Sequence, residues 1–186
     1  MRSALRSATA AAALAAMLVA GPAAGATPPR TVVAVLPLSP VDTGMPYAVL
    51  PVANQLDEMT ARLRQPFTKT PNATVVPQAT VERALRSAGF DQDSALRACA
   101  TPECGRRIGK LVGATRVVMG GVTREMGVVW STDASIVDVR TGRVVGELRA
   151  GYKGDVNSMV VGETTLGGCL LRVMDHRAPC KDDPGY

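Results

Sequence analysis

Four cysteines and a single histidine hold most of the reactive chemistry in this chain of 186 residues. Cys99 and Cys104 are separated by four residues in CATPECGRRIGKLVGATRVVMGGV, and Cys169 and Cys180 bracket Asp175 and His176 in CLLRVMDHRAPC. A dithiol at a helix start suits thiol–disulfide exchange, because the helix dipole and cations such as Arg106 and Arg107 lower the attacking thiol's pKa. Exchange proteins place C-x-x-C there, whereas this spacing is C-x4-C without a thioredoxin-like surrounding pattern. A structural staple is the preferred reading, with exchange as the lesser alternative. The second group supplies four metal-ligand types in Cys169, Asp175, His176 and Cys180. Its spacing matches no standard zinc module, and cysteines oxidised to a disulfide cannot bind as thiolates. Metal or small-ligand binding through that set is kept as an alternative, and no metal is expected.

Other catalytic patterns are absent from the sequence. His176 is the one histidine and lies near the end, no G-x-S-x-G elbow occurs, and no G-x-x-x-x-G-K-[ST] phosphate loop occurs. Asp133 and Asp138 lie five apart on one strand-like run and therefore face opposite sides. Asp138 with Thr141 and Gly142 reads as turn chemistry. Hence no catalytic residue and no cofactor is expected, and the chain is read as a non-enzyme. The six aromatics, Tyr47, Phe67, Phe90, Trp130, Tyr152 and Tyr186, are too scattered for a stacking platform. The net charge of +5 is spread along the chain, so nucleic acid is not an expected partner.

The compartment follows from the first residues. Arg2 and Arg6 precede the short apolar run ATAAAALAAMLVAG, and Ala24-Gly25-Ala26 supplies the small-residue cleavage pattern, so 1–26 is read as a signal peptide. No cysteine lies near that cleavage pattern, and no later stretch is apolar enough to cross a membrane. The mature protein is expected to be periplasmic or secreted. In such an oxidising compartment four cysteines favour two disulfides. Three pairings are formally open, and spacing suggests Cys99–Cys104 and Cys169–Cys180.

The elements that position these groups are legible from periodicity. TVVAVLPL (31–38) reads as a buried central strand. Residues 47–64 read as a helix with Val52, Leu56, Met59 and Leu63 on one face. NATVVP (72–77) reads as a short strand, and QATVERALRSAGF as a helix burying Val81, Leu85 and Ala88. Thr101 as N-cap, Pro102 at the first helical position and Glu103 in the first turn start a short helix. Ile108, Leu111 and Val112 form its expected apolar side, and Gly113 ends it. TRVVMGGV is the next strand. GVVWSTDASIVDV alternates, with Val128, Trp130, Thr132, Ala134 and Ile136 on one face and Val129, Ser131, Asp133, Ser135 and Val137 on the other. VRTGR turns into VVGELRAGY as a hairpin partner, and a last helix spans 155–174. Strands grouped late in the chain predict an α+β fold. The expected form is a two-layer α/β sandwich with a mixed sheet of about five strands and helices packed mainly on one face. A single domain over 27–175 would then carry a polar tail, 176–186.

VVAVLPL, the Cys99/Cys104 pair, RRIGKLVGATRVVMGGV and SIVDVRTGRVV together resemble a family of small secreted bacterial proteins, domain-of-unknown-function family 2380. The pattern is also similar, more loosely, to the TolB amino-terminal, CsgG-like and FlgO-like envelope domains. The resemblance implies an α/β sandwich that contacts other envelope components, with no catalytic residues to carry over. It therefore implies an accessory or adaptor module with an envelope protein as partner. The polar face bearing Ser131, Asp133 and Ser135 is the candidate contact surface, provided helices leave it uncovered.

Overall fold

Valine and leucine crowd Thr31–Val35, the first strand (β1), and both of its faces meet apolar neighbours: Val33, Ala34, Val35 and the following Leu36 are all fully buried. A strand buried on both sides must lie inside a sheet with cover above and below. The computed structural model, which describes residues 30–41, 53–91, 98–124, 129–177 and 180, shows how that cover arises. Residues 1–26, expected from the sequence to be a signal peptide, the start of the helix expected from residue 47, and most of the expected tail lie outside the described residues.

After β1 come the two-residue strand β2 (Ser39–Pro40), helix α1 (Ala53–Lys69), strand β3 (Ala73–Val75), and helices α2 (Gln78–Ser87) and α3 (Pro102–Leu111). Strands β4 (Arg116–Arg124), β5 (Val129–Asp138) and β6 (Val144–Lys153) follow, then helix α4 (Val156–Met174). The sheet order is β3-β1-β4-β5-β6, with β2 alongside β4 beyond the end of β1. β1 runs parallel to β3 and β4, while β4, β5 and β6 form an antiparallel meander. The α+β class and the mixed sheet are as the sequence implied, with β2 making six strands.

The layering differs from the expectation of helices mainly on one face. One core, on the face called the front here, joins Val33, Val35, Val118 and Ile136 to Leu56, Met59, Leu63 and Phe67 of α1 and Met159, Leu166 and Leu170 of α4. A second core on the back joins Ala34, Leu36, Val117, Met119 and Val137 to Val81 and Leu85 of α2 and Ile108 of α3. The reason is topological. The chain steps outward from β1 to β3 through α1, then back past β1 to β4 through α2 and α3. Right-handed crossovers taken in opposite directions place their helices on opposite faces. The longer helices, α1 and α4, do share the front, and the shorter pair covers the β1–β4 part of the back.

Two local departures have packing causes. α1 continues through Pro66 to Lys69, which brings Phe67 into the front core as a fully buried side chain; such burial is worth roughly 2–3 kcal/mol. In α3, Leu111 is 59% exposed rather than inward. The helix instead seats itself on Gly105 and Gly109. A Cβ on Gly109 would fall 2.4 Å from Val139 and 2.7 Å from Val117, so only a bare backbone lets α3 approach β4 and β5 so closely.

Candidate functional site

The helix-bearing motif around Cys99 and Cys104 is a closed structural unit. Thr101, in extended conformation, accepts a hydrogen bond at Oγ1 from the Cys104 N–H at 3.2 Å, capping the helix as its sequence implied. Cys99 and Cys104 are joined as a disulfide. With 2% and 8% exposure, their sulfurs belong to the back core with Ile108 and Val117. An exchange thiol must reach a substrate sulfur in line, and burial in this core opposes that.

At the other end, Cys169 and Cys180 are also joined, tying the segment after α4 back to the buried side of that helix. This pairing removes both thiolates from the alternative metal set. Asp175 caps α4 and pairs with Arg177 at 3.6 Å, and His176, with φ of 56°, forms the turn that ends it. Among the described residues no three histidine, cysteine, aspartate or glutamate side chains gather closely enough to hold a metal.

Asp138 serves the hairpin. Its Oδ1 accepts from the Thr141 N–H at 2.8 Å and from the Thr141 hydroxyl at 2.9 Å, its other oxygen pairs with Arg116, and Gly142 takes the left-handed φ of 74° that the turn needs. The Thr141 amide, then its hydroxyl and Arg116, hold the Asp138 carboxyl below the ordinary carboxylate range.

The sheet's back face beyond α3 is different. β5 passes from the covered Val137 to Ser135, Asp133 and Ser131 on that face, and the register places Glu147 beside Ser135 and Arg149 beside Asp133. Of the three residues singled out from the sequence, Asp133 is half exposed, Ser135 is half-buried, and Ser131 is buried. Arg149 accounts for part of that cover: its Nη2 donates to Ser131 Oγ at 3.2 Å, and its Nε lies 3.7 Å from Asp133. Gly121, Met119 and Ala100 bound the near side of a cleft of about 210 Å³ whose far wall carries Asp133, Ser135 and Glu147. This surface can offer two carboxylates, a hydroxyl and a guanidinium around a floor narrowed to glycine. Glu147 and Arg149 were legible as the outward members of the alternating run VVGELRAGY, but only pairing with β5 places them beside Asp133 and Ser135.

A second hollow, about 420 Å³, lies outside the carboxyl end of β1 between α1 and α2, against Pro37, Asp57, Glu82, Arg86 and Phe90. It falls where successive crossovers leave for opposite faces, the usual place for a crevice in such sheets.

Sequence inspection passed over Glu163. It sits on the inward stripe of α4 between Met159 and Leu166, and it is fully buried. Thr132 Oγ1 of β5 donates to its Oε1 at 2.5 Å, while Oε2 has no hydrogen-bond partner. Burial pushes this carboxyl up to about 7, while the hydrogen bond from the Thr132 hydroxyl acts in the opposite direction. The signal was available: Glu163 follows Met159 by four positions and precedes Leu170 by seven, on the face that the apolar residues define.

Comparison with known proteins adds the family and supports the fold. No curated protein matches the chain. The NMR structure of E. coli LpoB superposes with a TM-score of 0.51 at 17% identity, over 65% of this chain and 55% of that one, so the chain spans just over half of LpoB. The LpoB C-terminal domain from Salmonella enterica gives 0.49 at 18% identity, over 67% of this chain and 83% of that one. Lipoprotein GNA1162 from Neisseria meningitidis gives 0.49 at 22% identity, over 78% and 95%. At these identities the likeness is one of fold. A family's sequence model matches over a far longer stretch than any single motif, residues 31–160 of the 186, and the chain belongs to that family, described as protein of unknown function (DUF2380).

Proposed function

We propose that this chain is a non-enzymatic accessory or adaptor module of the bacterial cell envelope, periplasmic or secreted after loss of residues 1–26. It presents the uncovered back-face strip around Asp133 and Ser135 to an envelope protein. The observation that carries this reading is the break in cover across one strand: on β5, Val137 is fully buried under α3, whereas Asp133 on the same face has a half-exposed side chain. A sheet face open to water in a fold whose other faces carry helices is where a partner finds both backbone relief and polar groups.

Three further features support it. Two disulfides suit an oxidising compartment. The buried, capped environment of Cys99 and Cys104 suits a staple rather than a reactive dithiol. The resemblance to envelope domains points to contact with other envelope components.

The test is site-specific photocrosslinking in cells that export the full chain. A photoreactive residue at Ser135 or Asp133 should give a discrete adduct that the same residue at Val161, exposed on α4, does not give. Equal adducts from both positions, or none from the strip, would overturn the assignment of this surface.

A further inference from the structure

Basic residues that lie far apart in the sequence meet at one end of the sheet, where β4 begins and β5 ends. Arg116 stands opposite Asp138 there, and the Val139 N–H donates to the Thr115 carbonyl at 3.1 Å, so the turn 139–143 projects beyond that end. α3 finishes at the same place, since the Ala114 N–H bonds back to the Gly109 carbonyl and Thr115 leads into β4. The two segments touch: a Cβ on Gly142 would lie 2.9 Å from Arg106 Cδ and 3.9 Å from Glu103 Oε2. Lys110 follows Arg106 by one helical turn on the same flank of α3. Lys110, Arg140 and Arg143 are all exposed. The acids placed here are already engaged, Glu103 with Arg106 at 3.4 Å, and Asp138 with Arg116 and the Thr141 amide and hydroxyl.

Apolar side chains break the surface at the same end. Of the five large apolar side chains exposed among the described residues, three belong to it. Leu111, beside Lys110, is 59% exposed, and Val144 and Val145, which follow Arg143, are 41% and 46% exposed. The packing of α3 has no need of Leu111, because the helix seats on Gly105 and Gly109.

We infer that this end of the molecule docks on an anionic phospholipid surface, with Lys110, Arg140 and Arg143 against lipid phosphates and Leu111 and Val144 among the headgroups. Each basic side chain near a negatively charged bilayer favours binding, and apolar side chains set among them gain by entering the interface. A soluble polyanion rewards the charges alone. An apolar protein surface would leave the three cations desolvated without partners. A bilayer interface takes both kinds of side chain. End-on docking also leaves the strands standing away from the bilayer. Asp133, five residues along β5 from Asp138, then lies roughly 17 Å farther out, so the back-face strip stays open to a partner. The inference needs the exported location proposed above but not the adaptor surface, and vesicle binding and photocrosslinking at Asp133 or Ser135 can fail separately.

Flotation of the mature chain, with both disulfides intact, tests it on vesicles of phosphatidylcholine alone or with about one-third phosphatidylglycerol. The protein should float with the anionic vesicles only, and less as salt rises. Arg140→Glu with Arg143→Glu should weaken binding at least about twentyfold, since each charge near the surface is worth about fivefold. Arg62→Glu with Arg83→Glu, at exposed positions of α1 and α2, changes the net charge equally and should weaken binding less than about threefold. Leu111→Ser with Val144→Thr keeps every charge and should weaken it about three- to tenfold. No flotation with the anionic vesicles would overturn the inference. So would equal losses from the two pairs of charge reversals, which would mean that net charge alone acts. Indifference to Leu111→Ser with Val144→Thr, together with full competition by soluble polyphosphate, would overturn it in favour of a free polyanion.

Discussion

Replacing Glu163 by glutamine should remove a pH dependence from the fold. The glutamic acid is fully buried, with one hydroxyl donor on Oε1 and none on Oε2, and its carboxyl is pushed up to about 7 from an ordinary 4.5. Below pH 4.5 both folded and unfolded chains hold the proton, and the site contributes its full stability. As pH rises further, the unfolded chain ionises while the folded one does not, so stability falls. The fall ends near pH 7, where the folded carboxyl ionises too. At about 1.4 kcal/mol per pH unit, the loss over this window comes to roughly 3 kcal/mol. A glutamine at this position cannot ionise, and its amide oxygen can still accept from Thr132. Its buried NH₂ adds a constant cost of about 1–3 kcal/mol if unsatisfied, equal at every pH. The informative quantity is therefore the difference between the two pH profiles. Urea denaturation of both proteins from pH 5 to 8.5 measures it, and wild type should lose stability relative to Glu163→Gln by roughly 3 kcal/mol across the range. For a chain of this length that is a relative shift of about 6–12 °C in Tm. Asp138 and Asp155, both held below the ordinary carboxylate range by hydrogen bonds, titrate below this window and act in the opposite sense. Parallel profiles would refute the reasoning: they would mean that Glu163 reaches water or a cation when folded.

Adjacent glycines on α4 give a packing test with opposite signs. A Cβ on Gly167 would lie 2.2 Å from the Leu63 carbonyl oxygen, so Gly167→Ala should push α1 from α4 and cost about 2 kcal/mol by chemical denaturation, whereas Gly168→Ala meets nothing within 4 Å and should gain up to about 1 kcal/mol from helix propensity. Asp138→Asn should destabilise the β5–β6 turn by about 1–2 kcal/mol at pH 7; since the native carboxyl is held low, that difference should shrink as pH falls below about 4, measured by the same denaturation. Replacing Cys99 and Cys104 by alanine should cost about 2 kcal/mol, as expected for so short a loop, and an insulin-reduction assay should show no turnover with either protein.

Local chemistry made α3 and the late hairpin readable in advance. Thr101, Pro102 and Glu103 name a helix start whatever surrounds them, and Asp138, Thr141 and Gly142 name a turn; both devices appear as bonded geometry. What periodicity missed is what it cannot weigh. It places Leu111 inward because large apolar side chains dominate the pattern, but α3 meets the sheet through Gly105 and Gly109, whose contribution is the absence of a side chain. Two-faced cover likewise depends on β3 and β4 flanking β1, a fact of strand order that no local window contains. The polar alternation of β5 was legible, yet Ser131 lies under Arg149, an arginine that only the β5–β6 register brings near.

The open strip itself follows from that strand order. The crossover from β3 to β4 carries the back-face helices, so they reach β1, β4 and the adjoining end of β5 and no farther. β5 and β6 are added as hairpins, which need no crossover helix, and the chain then leaves β6 into α4 on the front, where Ala150 and Tyr152 join Met159 and Leu170 in one core. Nothing in the described chain is left to cover the back of β6. The residues there are those that tolerate water, Glu147 and Arg149 among them, while their immediate neighbours Leu148 and Ala150 face the front core. A meander appended to a crossover unit thus produces a half-covered sheet by construction. The charged rows on that half, Asp133 with Arg149 and Ser135 with Glu147, lie outside both apolar cores of the described residues.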